Sequence, residues 1–152
     1  MELADMIEPQ DVLVDHRAAS KAELLRDLAQ LAAGRTGIDE TVILDLLTGR
    51  ERLGSTGIGN GIAIPHANVP ELIAPFTSLV RLRQPIDFEA IDEAPVDIVF
   101  LTLSPAHKGS SHLGLLACIA RNARSAIWLE AVRRARTPAS LHGLLSGMAP
   151  ER

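Results

Sequence analysis

The run Val96-Asp97-Ile98-Val99-Phe100-Leu101-Thr102-Leu103 constrains the fold more than any other part of this chain. It is nearly all apolar and rich in β-formers, the pattern of a strand buried within a sheet. Side chains alternate between the faces of a strand, so such a run needs cover on both. Helical patterns supply it. Ser20-Lys21-Ala22-Glu23 is a capping box that starts a helix at Lys21. Leu24, Leu25, Leu28, Leu31 and Ala32 line one face of that helix, with Gly34 as its stop. A second helix follows Asp39, with Val42, Ile43, Leu46 and Leu47 as its stripe. Gly49-Arg50-Glu51-Arg52 lies at or just past its end.

Shorter strands are predicted at 12–14, at 62–64 (ended by Pro65) and at 78–83. Later helices are expected over about 112–124 and 127–136, and from the N-cap pair Thr137-Pro138 to about 146. The order predicts an α/β (α+β) fold: one domain over 1–152, built as a mixed β-sheet flanked by helices on both faces.

Composition excludes several function classes. Lys and Arg number 15 against 19 Asp and Glu, a net charge of −4 that argues against nucleic acid as a partner. With no Tyr, one Trp and three Phe, the chain is also poor in base-stacking platforms. Met1-Glu2-Leu3-Ala4-Asp5 lacks the basic-then-apolar order of a signal peptide. The longest apolar stretches, 98–103 and 113–120, are too short to span a bilayer. The single Cys118 allows no internal disulfide, sits in an apolar helix stripe and suits a reducing cytoplasm.

The chemistry concentrates in residues 54–67, G-S-T-G-I-G-N-G-I-A-I-P-H-A. No Gly-Lys-Ser/Thr follows, so this is not a Walker A loop, and its glycines lack the dinucleotide spacing and lead into a strand. Two readings of the glycines stand: a tight turn needing positive φ, or backbone N–H donors held close to a bound group. His66 comes directly after Pro65, which ends strand hydrogen bonding and fixes where the ring emerges. A neutral imidazole, with an ordinary pKa of about 6.5, is a nucleophile able to form a phosphoramidate near neutral pH.

His112 stands in the first turn of a predicted helix capped by Ser110 or Ser111, where free N–H groups suit an anion. Arg50 and Arg52 precede the loop and carry the charge that phosphate needs, although most arginines only solvate a surface. His16, His107 and His142 form no metal spacing, and neither metal nor cofactor is expected. Arg121, Arg124, Arg133, Arg134 and Arg136 read as a solvated basic face, with docking to an acidic partner as the minority reading.

The pattern of Glu51, six residues, Ile58-Gly59, two residues, then Ile62-Ala63-Ile64-Pro65-His66-Ala67 closely resembles a known active-site signature. It is that of the fructose/mannitol-type enzyme IIA domains of the bacterial phosphoenolpyruvate-dependent phosphotransferase system. The run from Arg50 to Gly61, Pro85-Ile86-Asp87-Phe88, Ala90-Ile91-Asp92, Pro95-Val96-Asp97 and Ser111-His112-Leu113 resemble its nitrogen-regulatory branch. Members of that branch are stand-alone proteins of about this length.

The resemblance implies that His66 is phosphorylated by a small HPr-like carrier protein. It also implies that His112 and Arg50 assist, and that Ser55, Gly57 and Gly59 help to bind the phosphate. The implied protein is a cytoplasmic phosphoryl carrier and regulator rather than a metabolic enzyme. Its targets would be proteins such as potassium transport systems or sensor kinases. The alternative is a sugar-transport IIA subunit passing phosphate to a IIB cysteine; a third reading is a binding module without phosphotransfer. Ala67 replaces a glycine common in the branch, and Gly114 stands where relatives often carry another histidine.

Overall fold

A computed structural model describes residues 2–105 and 111–147, and the side chains of these other than 111–113. Six strands form one mixed sheet: β1 Val12–His16, β2 Gly57–Gly59, β3 Ile62–Ala63, β4 His66–Asn68, β5 Phe76–Ile86 and β6 Val96–Ser104. The order across the sheet is β1-β5-β6-β3-β2, with β4 also paired to β6. β1 runs parallel to β5, β5 antiparallel to β6, and β3 and β4 both parallel to β6. The helices are α1 Leu3–Met6, α2 Lys21–Thr36, α3 Glu40–Arg52, α4 Ser111–Asn122, α5 Ala126–Arg134 and α6 Pro138–Gly143.

The alternation of β6 divides the core in two. Val96, Val99, Leu101 and Leu103 pack with Leu24, Leu28, Ile43 and Leu47 of α2 and α3. Ile98 and Phe100 face the other way, onto Leu115, Cys118 and Ile119 of α4, with Leu129 and Val132 of α5 and Leu141 of α6. Helices therefore cover both faces of a mixed sheet, as the apolar run requires.

Capping chemistry sets the helix ends. Ser20 Oγ accepts from Glu23 N–H at 3.1 Å, while the Glu23 carboxylate reaches back to Ala19 N–H at 2.7 Å. Asp39 Oδ1 caps α3 by accepting from Thr41 N–H at 2.7 Å. Gly34 does not stop α2. The helix runs on to Thr36 and ends at Gly37, whose φ of 79° supplies the left-handed C-cap. Other expected bounds shift: α5 ends at Arg134 and α6 at Gly143, both earlier than periodicity alone suggests. Arg81, buried within β5, donates Nη1 to the carbonyls of Val132 (3.0 Å) and Ala135, taking up the C-terminal end of α5. Leu3 and Ile7 are fully buried, and His142 Nε2 faces the carbonyls of Ala4 (3.0 Å) and Ile7 (2.8 Å).

β2 and β3 form a hairpin closed by Asn60-Gly61, both with positive φ (57° and 81°), the pair that a two-residue primed turn demands. Three contacts hold the turn. Asp92 accepts from Asn60 N–H at 3.0 Å, Arg133 Nη2 donates to Asn60 O at 2.8 Å, and Arg133 grips Asp97 through two hydrogen bonds. A Cβ on Gly61 would collide with the Arg133 guanidinium and come within 2.8 Å of Asp97 Oδ1. Gly61→Ala is therefore expected to lower stability by about 1–3 kcal/mol, read from urea unfolding.

The N–H groups of Asn60 and then Ala94 hold the Asp92 carboxyl below the usual carboxylate range. A pKa depressed by folding gives a contribution that is full above the unfolded value of about 3.9 and lost as pH falls through the folded value. The stability advantage of the parent over Asp92→Asn is thus expected to shrink as pH is lowered below about 4, measured as the difference in urea midpoint.

Candidate functional site

Pro65 shapes the strand that carries the histidine. β3 and β4 keep one parallel register against β6: Ile62 opposite Ile98, Ala63 opposite Val99, His66 opposite Thr102, Ala67 opposite Leu103. The break falls at Ile64-Pro65, where proline has no N–H to give. Ile64 N–H turns to Thr56 O at 2.9 Å, and Pro65 O accepts from Thr102 N–H at 3.0 Å. Pro65 interrupts the strand without ending the sheet, so His66 opens β4 instead of standing past the last strand residue.

The sheet also orients His66. Ile62 and Ile64 face α4, whereas Ala63 and Ala67 face α2 and α3. Alternation places the half-buried His66 ring on the α4 face, the same face as Thr102 beside it. Its Nδ1 lies 2.8 Å from Ile64 O. A carbonyl only accepts, so this contact puts a proton on Nδ1, and in the neutral ring the lone pair then lies on Nε2.

The other expected site residues take these places. Arg50 sits in the last turn of α3 and donates Nη1 to Gly54 O at 2.9 Å, bracing the start of the glycine segment. α3 itself packs against β4. Ser55 Oγ donates to Phe88 O and accepts from Gly57 N–H, both at 3.1 Å. Gly57 passes so close to Ala90 that a Cβ would lie 2.8 Å from the Ala90 Cβ, and its carbonyl accepts from Ile91 N–H at 3.1 Å. Gly59, with φ 106°, packs beside the Asp92 carboxylate. His112 lies in the first turn of α4, which packs over β6. His107 and Ser110 lie outside the described residues. His16 pairs with Asp27 at 2.8 Å. Among the described residues no group of three or more His, Cys, Asp or Glu is placed to hold a metal, and no helix is long and apolar enough to cross a membrane.

Two functional-looking residues carried no separate role in the sequence reading. Glu51 was only an acidic letter in a pattern; in the fold it is a buried anchor. Its carboxylate accepts from Thr56 N–H at 3.1 Å and from Thr56 Oγ1, and Lys21 Nζ approaches to 3.1 Å. The same ammonium lies 4.5 Å above the Phe88 ring. This network ties the N-terminus of α2, the end of α3 and the root of the glycine segment together. Thr102, within the apolar run, is the second; its hydroxyl is buried and has no hydrogen-bond partner among the described residues. Glu51→Ala would leave buried Thr56 without its acceptor and Lys21 with the exposed Glu89 carboxylate, 3.6 Å away, in its place. It is expected to cost about 3 kcal/mol of stability by denaturant unfolding, with Glu51→Gln milder because it still accepts from Thr56.

Comparisons with known proteins bear on the fold and the family. Residues 5–147 match the family model described as phosphoenolpyruvate-dependent sugar phosphotransferase system, EIIA 2. The nitrogen regulatory protein of Bradyrhizobium diazoefficiens is 39% identical over 146 residues, covering 96% of this chain and 95% of that protein. The nitrogen regulatory protein of Pseudomonas aeruginosa is 36% identical over 146 residues, covering 95% of each. The solved structure of nitrogen regulatory protein IIA-Ntr from Neisseria meningitidis has a TM-score of 0.90 at 25% identity, covering 95% of this chain and 99% of that one.

Proposed function

The chain belongs to the phosphoenolpyruvate-dependent sugar phosphotransferase system EIIA 2 family, and from that premise we propose that it is a regulatory phosphoryl carrier phosphorylated on His66. The observation that carries the reading is the 2.8 Å contact of His66 Nδ1 with Ile64 O. With its proton held there, the ring presents Nε2 as the nucleophile. The Nε2 lone pair attacks the phosphorus of a phosphohistidine on an HPr-like carrier, in line. The new N–P bond forms as the donor's N–P bond breaks, and the electron pair returns to the donor imidazole. Catalysis of this kind is positioning plus charge stabilisation.

Arg50 and His112 supply the charge and donors around the transferring group in this reading. Ser55, Gly57 and Gly59 shape the phosphate-binding loop, which the Glu51 carboxylate and the Arg50 guanidinium already hold at its base. Phosphate on His66 adds negative charge at the β4 edge and changes which proteins dock there, an electrostatic switch. The nitrogen-regulatory names of the relatives favour regulation over sugar import. For a carrier in the cytoplasm, targets such as potassium transport systems or sensor kinases fit that role.

Incubation with phosphoenolpyruvate, enzyme I and an HPr-like carrier is expected to add one acid-labile phosphate. The His66→Ala variant takes up none, and long-range proton–nitrogen NMR places the phosphate on Nε2. Labelling of His66→Ala at the parental rate, or phosphate on Nδ1, would overturn the assignment. Rapid onward transfer to a IIB cysteine would identify a transport subunit instead.

A further inference from the structure

Thr102 carries a hydroxyl inside the apolar core. The residue is 3% exposed, and among the described residues its Oγ1 has no hydrogen-bond partner. Its backbone is fully engaged, since the N–H donates to Pro65 O at 3.0 Å and the residue pairs with both β4 and β5. A buried polar group without a partner is costly, and in a native core it calls for an explanation. The position within β6 makes the point sharper: Phe100, Leu101 and Leu103 around it are fully buried apolar residues, and valine would fit the same β-branched shape.

The placement supplies the explanation. Thr102 is the register partner of His66 in the parallel β4–β6 pair. Neighbouring strands lie about 4.8 Å apart, and residues in register project to the same face. Leu101 and Leu103 face α2 and α3, so Thr102 faces α4, as His66 does. The Thr102 side chain therefore stands one strand inward from His66, on the same face of the sheet.

Resting on the reading of His66 as the phosphorylated residue, we propose that the Thr102 hydroxyl is a ligand of the phosphorylated state, donating to a phosphoryl oxygen on His66. The resting protein holds this donor preorganised and unsatisfied. Phosphorylation completes it with a charge-assisted hydrogen bond, stronger than one between neutral groups. The desolvation of the hydroxyl is already met by the fold, so the whole of that bond favours the phosphorylated state. No bond is made or broken in this step beyond the transfer itself, and the hydroxyl keeps its proton.

The test is the partition of phosphate between the protein and its HPr-like carrier at equilibrium, for the parent, Thr102→Val and Thr102→Ser. Thr102→Val is expected to be as stable as the parent or more so when unphosphorylated, because it removes an unpaired buried hydroxyl. Its phosphate is expected to shift about tenfold back toward the carrier. Thr102→Ser is expected to restore the parental partition. A partition for Thr102→Val equal to the parent's would overturn the proposal and leave the hydroxyl a packing defect. If Thr102→Val does not fold, the parent still decides: NMR of the phosphorylated protein either shows a scalar coupling between the phosphorus and the Thr102 hydroxyl proton, or, by its absence, overturns the inference. Failure of the parent to take phosphate on His66 would remove both readings, whereas an unchanged partition removes only this one.

Discussion

Strand β6 organises the molecule because neither of its faces is open to solvent. Val96, Ile98, Val99, Phe100, Leu101 and Leu103 are all buried, and they alternate between two separate helix layers. Every other part of the sheet is positioned against this strand. β5 pairs along one side of it, and β3 and β4 share the other side in one parallel register. The histidine inherits its orientation from that register. A slip of one residue would turn His66 toward α2 and α3 and bury it. The proline beside it does not terminate the strand pairing; it leaves one N–H out of a ladder that continues past it.

Polar contacts then hold what the apolar core cannot. The glycine segment contributes little side-chain surface of its own, so its shape depends on tethers from neighbours. Glu51 and Lys21 fasten its root, Arg50 braces Gly54, Ser55 ties Gly57 to Phe88, and Arg133 with Asp92 closes on the Asn60-Gly61 turn. Polar networks rigidify a site only when each member is satisfied. Here the members satisfy one another from five different segments. The glycines are consequently demanded by close approach as well as by backbone conformation: Gly57 accommodates Ala90, and Gly61 accommodates Arg133.

Local rules were legible wherever the competing interactions were also local. The Ser20 and Asp39 caps, the start of α2 at Lys21 and the existence of every helix except the short α1 follow from spacing and capping alone. Gly34 shows the limit. An interior glycine and a terminal one look alike in a sequence, and the cap falls at Gly37 because the residues past Gly34 are held in the helix: Arg35 pairs with Asp11 and Thr36 donates its hydroxyl to Ala32 O. The split of 62–68 into β3 and β4 was hidden for a similar reason. Proline breaks hydrogen bonding locally, but the partner strand that lets pairing resume lies more than thirty residues away, at Thr102 to Ser104.

The linear chain by itself determined the class of the fold, the histidine and its proline, and the family, because apolar periodicity and a long contiguous motif survive without coordinates. Only the tertiary structure decided which face His66 presents, which of its nitrogens holds the proton, and that Glu51 anchors the loop. It alone put Thr102 in register with His66 on the same face of the sheet. Each of these depends on two segments distant in sequence meeting at a fixed register, and register is set by the packing of the whole sheet.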